Sequence, residues 1–189
     1  MGSRTISITY QTFVRDRPLA RIRINAAAGN PRRGWLTAEG WTIPVALGRG
    51  GIKANKREGD GGTPRGVFHP RRLWWRADRH ARPKTFLSVR PIRAEDAWCE
   101  DPAHGCYNRL VQAPPRAGMD RLTRNDHVYD LVVVIGHNDR PRVRGKGSAV
   151  FVHLARPGYT PTAGCIALDK RDLDMLLRSR RDAVIAIQR

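Results

Sequence analysis

Long hydrophobic runs are missing from this chain of 189 residues. No apolar stretch approaches the ~20 residues that a membrane-spanning helix needs, so nothing in it reads as a span. No basic start leading into an apolar segment marks a secretory leader, and the opening Met1-Gly2-Ser3 says little about compartment. Cysteine is scarce. Cys99, Cys106 and Cys165 are too few for a disulfide-framework fold, and a chain of this length buries enough surface to do without one. Cys99 and Cys106 lie close together, which leaves Cys165 as the odd thiol to examine as a reactive group. Acidic residues are outnumbered: 17 Asp and Glu face 35 Lys and Arg, a formal charge of +18, and 30 of the basic residues are arginine. Such a surface attracts any polyanion, whether nucleic acid, anionic lipid or acidic wall polymer. The arginines are scattered, however, and no helix-turn-helix, zinc-finger, RRM or KH signature accompanies them. Nucleic acid is therefore not the expected partner.

Helical periodicity is rare as well, and most of the pattern has period two. Ile6, Ile8 and Tyr10 alternate with polar residues, as do Ile22 and Ile24 with Arg21 and Arg23, which predicts half-buried strands. A strand pair is expected from Trp35 to Val45, turned at Glu39-Gly40. Thr85 to Val89 reads as a short strand, Val128 to Ile135 as a fully buried one, and Ser148 to Leu154 as another. Residues 91 to 127 read as irregular, broken by Pro91, Pro102, Pro114 and Pro115. One helix is expected after Asp169, a good N-cap with Asp172 three residues on, followed by the apolar stripe Leu173, Leu176, Leu177. Ala183, Ile185 and Ile187 form a closing strand. The expectation is a mainly β (α+β) single domain over residues 1–189, a sandwich or partly open barrel with one or two packed helices.

The chemistry concentrates in one segment. Ala149, Phe151 and His153 share a strand face; the chain then turns through Pro157-Gly158 and Pro161 and enters a second short strand at Cys165. If these strands pair antiparallel, His153 faces Cys165 and an imidazole–thiol hydrogen bond is in reach. Gly164 leaves room beside the sulfur for backbone N–H groups aimed at an oxyanion. A neighbouring imidazolium, helped by Arg156, is expected to lower the thiol pKa. The bland alternative is a buried, inert cysteine beside a satisfied core histidine. Cys99, His104 and Cys106 fit no common zinc spacing, so no metal is expected, and the two cysteines are either free or disulfide-bonded. His137 reads as a turn residue, and the tryptophans mostly as core.

Thr162-Ala163-Gly164-Cys165 after His153 resembles the signature of the YkuD-type L,D-transpeptidases. Glu58-Gly59-Asp60-Gly61-Gly62-Thr63-Pro64-Arg65-Gly66 resembles the family's Asp-Gly-x-Thr-Pro-x-Gly turn. Trp98-Cys99-Glu100-Asp101-Pro102, Tyr107-Asn108-Arg109 and Tyr129-Asp130 resemble a short proteobacterial branch, so that the likeness spans residues 35 to 177. The sequence departs from the family where Ala163 replaces the usual histidine two before the cysteine and Ala167 replaces the Asn or Arg two after it. The resemblance implies that Cys165 is the nucleophile, His153 the general base with its ring held by the Leu154 carbonyl, and Gly164 part of the oxyanion hole. It implies a peptidoglycan cross-linking reaction of 3–3 or 1–3 type through a thioester, on stem peptides as donor and acceptor, in the periplasm or cell envelope, without a cofactor. Arg49, Tyr107, Arg109, Arg156 and Thr162 are the substrate-binding candidates. An L,D-carboxypeptidase or endopeptidase using the same cysteine, or a basic binding module without chemistry, are the alternatives.

Overall fold

The computed structural model describes residues 19–112, 114 and 116–188. In chain order the strands are β1 (Arg21–Ala27), β2 (Asn30–Ala38), β3 (Trp41–Ala46), β4 (Ile52–Lys53), β5 (Thr63–Pro64), β6 (Gly66–Phe68), β7 (Arg72–Trp75), β8 (Ser88–Pro91), β9 (Asp96–Cys99), β10 (Leu110–Gln112) and β11 (Met119–Arg121), then β12 (Leu131–Val134), β13 (Phe151–Leu154), β14 (Ile166–Leu168) and β15 (Val184–Gln188). One helix, α1 (Lys170–Leu176), and one 3-10 turn (Pro157–Tyr159) complete the described elements. The strand expected at Ile6 to Tyr10 lies outside the described residues. No described helix is long and apolar enough to cross a membrane.

Ten strands form one sheet, in the order β6-β15-β1-β2-β3-β14-β13-β12-β7-β8, which curls into a half-barrel. The mainly β expectation holds. The β2–β3 hairpin turns where the sequence predicts, at Glu39 and Gly40, whose φ angles of +44° and +84° suit a two-residue turn twisted like its strands. In β1, Ile22 and Ile24 are fully buried between exposed arginines. They join one apolar cluster with Val152, Ile166 and Leu168 from the sheet and Leu173, Leu176 and Leu177 from the α1 region. The helix starts where its cap permits: the Asp169 carboxylate accepts the Arg171 N–H at 2.9 Å, taking up one of the unpaired donors of the first turn.

The opposite face of β7, β12 and β13 packs under a second sheet, β10-β9-β11. Trp74, Val132 and Phe151 from below meet Trp98 and Leu122 from above, with Tyr129 and Cys165 at the margin. The irregular stretch expected over residues 91 to 127 is corrected by this layer, whose strands run only three or four residues. Runs so short carry too few alternations to register as period two. A disulfide joins Cys99 to Cys106 at its edge. His104 Nδ1 lies near both sulfurs, but sulfurs bonded to each other offer no thiolates, and the Arg116 guanidinium donates to His104 Nε2 at 3.2 Å.

Three strand expectations are adjusted, and the one read at Thr85 to Val89 lies at Ser88–Pro91. The predicted Ser148 to Leu154 strand begins at Phe151, because Ala149 adopts φ +49° and bends the chain ahead of it. The Val128 to Ile135 run is strand only over Leu131–Val134. Every residue of β13 is buried, since both faces of the strand are covered.

Candidate active site

Strand β13 pairs with β14 in parallel, Val152 opposite Ile166 and His153 opposite Ala167. The antiparallel pairing expected from sequence, with His153 directly across from Cys165, is therefore corrected. Cys165 stands just ahead of β14 alongside Phe151, and His153 is one pleat further along the same face. The two are diagonal neighbours, not an opposed pair. Parallel neighbours cannot be joined by a tight turn, and the connection from Ala155 to Cys165 carries the chain back to the start of β14.

That connection is pinned at several points. The Arg33 guanidinium donates to the Gly158 carbonyl at 2.5 Å. The Thr162 N–H donates to the Leu47 carbonyl, and the Thr162 carbonyl accepts from the Arg49 N–H, both at 2.9 Å. The Thr162 hydroxyl donates to the Cys165 carbonyl at 2.6 Å and accepts the Gly164 N–H at 3.1 Å, closing a local turn in front of the cysteine. Gly164 sits at φ +145°, and a Cβ there would stand 2.9 Å from the Gly62 carbonyl oxygen. Only glycine fits this close approach. Its N–H, expected to serve an oxyanion, is engaged by Thr162 in this structure.

Cys165 and His153 are both almost fully buried, and both line one cavity of about 330 Å³. The His153 Nδ1 lies 2.9 Å from the Leu154 carbonyl oxygen. A carbonyl accepts only, so Nδ1 carries the proton and Nε2 keeps its lone pair. The Tyr129 ring meets the imidazole edge-on, centroids 5.3 Å apart, and holds its plane. The Cys165 thiol donates to the Ala149 carbonyl at 3.1 Å and accepts the Phe151 N–H at 3.3 Å. No hydrogen bond joins the sulfur to the imidazole.

The charge states follow from burial. Burial pulls His153 down from 6.5 to about 4; the Leu154 hydrogen bond opposes this, and the Arg156 and Arg124 charges add to it. Burial pushes the Cys165 thiol up from 9.0 to about 12; the Phe151 N–H opposes this, while Asp120 and Glu100 add to it. The lowered thiol pKa expected from sequence is thus reversed. The free protein holds a neutral thiol and a neutral imidazole: burial outweighs the Phe151 N–H and Lys56 at the sulfur, and acts together with Arg156 and Arg124 at the ring.

Carboxylates that sequence reasoning did not single out complete the cavity wall. Glu58 accepts the Tyr107 hydroxyl at 2.5 Å and the Ser148 hydroxyl at 2.7 Å through one oxygen. Asp120 accepts the Tyr129 hydroxyl at 2.6 Å. Burial raises Glu100 from 4.5 to about 7, with Asp120 and Glu58 adding to the effect. Lys56, 7% exposed, ties the loop through Asp60 at 2.7 Å and the Arg57 carbonyl at 2.6 Å. Glu58 and Glu100 lie in motifs visible in the sequence, whereas Asp120 lies in none, and nothing in the sequence says that the three converge.

Of the expected substrate contacts, Arg49, Arg156 and Thr162 line the cavity. Arg156 is paired with Asp126 at 3.1 Å, whereas Arg49 has no ion-pair partner among the described residues. Tyr107 is buried behind Glu58, and Arg109 borders a different pocket. Trp74, Trp75 and Trp98 are core, as expected. His137 bonds the Lys146 carbonyl at 3.0 Å, away from the cysteine.

Comparison with curated proteins and with solved structures finds no match. A family model, the YkuD L,D-transpeptidase catalytic domain, matches residues 20–179. That range takes in every strand of the half-barrel but β15, the second sheet and both cavity-lining residues Cys165 and His153, so the chain belongs to the L,D-transpeptidase catalytic domain family.

Proposed function

We propose that this protein forms cross-links between peptidoglycan stem peptides through a thioester on Cys165. The observation that carries the reading is a thiol and an imidazole on one sheet face, lining one open cavity, with the Nε2 lone pair left free by the Nδ1–H bond to Leu154. A stem-peptide carbonyl enters the cavity and the thiol leaves the Ala149 carbonyl. Nε2 takes the thiol proton as sulfur bonds to the carbonyl carbon. The carbon–nitrogen bond of the donor breaks, and the departing amine carries off the proton held by His153. The amine of a second stem then attacks the thioester, gives a proton to Nε2, and leaves a new amide with the thiol restored. Because both groups are neutral at rest, proton transfer to Nε2 accompanies sulfur–carbon bond formation and does not precede it. Arg49 is the best-placed cation for a donor carboxylate, since its charge is otherwise unopposed.

The test is incubation with purified muropeptides and mass analysis of the products, wild type against Cys165→Ala. Dimers from wild type alone support the transferase; trimmed monomers alone favour hydrolysis by the same thioester. Either product persisting in the alanine variant sinks the assignment of Cys165.

A further inference from the structure

A second cavity, of about 280 Å³, lies on the far side of the Phe151 ring, and Val150 borders both cavities. Its floor includes Trp74, Trp98 and Phe151, packed against one another at ring-centroid distances of 5.2 to 6.3 Å. Five arginines border it, Arg71, Arg72, Arg109, Arg140 and Arg142, against one carboxylate, Asp139. Asp139 is already taken by Arg71 at 3.3 Å, and the Arg142 Nε donates to the Asn108 carbonyl at 3.1 Å. Arg72, Arg109 and Arg140 are exposed and have no carboxylate partner among the described residues.

Exposed arginines elsewhere, such as Arg23, Arg49 and Arg65, also lack a carboxylate partner among the described residues, so what sets this group apart is its convergence on one cavity. Arg76, Arg79, Arg90 and Arg124 are each closed onto an aspartate, at 2.6 to 2.8 Å. Around the second cavity the positive charges converge on a concave, partly apolar surface without counter-charge, an arrangement whose mutual repulsion a bound anion relieves. A second feature is independent of charge. Trp74 lines this cavity, and its indole N–H is the one buried side-chain donor without an acceptor among the described residues.

We propose that this pocket is an anion-binding site, separate from the Cys165 cavity, that takes a carboxylate or phosphate group on its arginine rim. The planar guanidinium fork matches either oxyanion in two-point fashion. Leu110 and Val134, half-buried at the wall, meet the apolar part of the ligand.

The full chain is titrated at low ionic strength with inorganic phosphate and, separately, with succinate. Calorimetry gives the affinity, and the Trp74 indole proton resonance, assigned by its loss in Trp74→Phe, locates the site. Saturable binding of either anion that moves this resonance supports the site, and the anion that binds more tightly identifies its chemistry. The double variant Arg72→Ser/Arg140→Ser is expected to weaken binding by about tenfold or more. Arg23→Ser, exposed on β1 and bordering neither cavity, leaves it unchanged. Calorimetry with these two variants keeps the test decisive even if Trp74→Phe does not fold. No saturable binding, equal affinity in the double variant, or a response reproduced by chloride at matched ionic strength overturns the proposal.

Discussion

The protonation state of the resting site gives the sharpest prediction. Burial and the Asp120 and Glu100 carboxyls carry the Cys165 thiol from 9.0 to about 12. Thiolate, the species that reacts with alkylating agents, is then on the order of a thousandfold rarer at neutral pH than for an ordinary thiol. With Cys99 and Cys106 in a disulfide, iodoacetamide has one free thiol to modify, and intact mass reports its loss. The second-order rate is expected to be slow at pH 7 and to climb about tenfold per pH unit from 6 to 10. No plateau interrupts the climb. An imidazolium–thiolate pair behaves otherwise, reacting fast at neutral pH with a level profile above the thiol pKa. A plateau anywhere between pH 6 and 9 refutes the reasoning, since it requires a thiolate stabilised by groups that this geometry does not bring to the sulfur.

His153 and Glu100 impose opposite pH trends on stability. The His153 pKa is lowered from 6.5 to about 4, so the folded state resists protonation, and stability present above pH 6.5 is lost as pH falls toward 4. The difference in melting temperature between wild type and His153→Asn is expected to shrink between pH 7.5 and 4.5; a constant difference contradicts the burial of the ring. The Glu100 pKa is raised from 4.5 to about 7, so the folded state favours the proton, and stability falls as pH rises through that interval. Glu100→Gln is expected to stabilise the protein at pH 8 by on the order of 1–2 kcal/mol, after allowing for water at the cavity mouth, and not at pH 4. Denaturant midpoints at the two pH values decide it. Ala149→Gly relieves the positive φ and is expected to raise stability by about 1 kcal/mol at most, whereas Gly164→Ala, which would drive a Cβ against the Gly62 carbonyl, is expected to abolish cross-linking in the muropeptide assay while the chain still folds.

Much of the fold was legible because alternation is a local property. Ile22 and Ile24 announce β1, and Glu39-Gly40 announces the hairpin, through residues within a few positions of each other. The pairing of β13 with β14 was not legible, because strand direction depends on where a connection goes and not on the residues it joins. Cys165 and His153 were visible as chemistry-bearing residues on a resemblance. The ionisation of the pair was not, because the arginines close by in sequence suggest a lowered thiol pKa, while burial, a property of the whole packed layer, decides the opposite. The short strands β9 to β11 escaped for the same reason: their existence depends on Trp98 finding Trp74 and Phe151, far away along the chain.

The side-by-side ladder of β13 and β14 also determines what can vary. The separation of sulfur and imidazole is set by interstrand hydrogen bonds, whereas the excursion from Ala155 to Pro161 is held through Gly158 and Arg156, contacts that can be exchanged without breaking that ladder. Under the proposed function, tailoring of the rim to different wall chemistries can proceed in that segment, with Cys165 and His153 held in place beneath it.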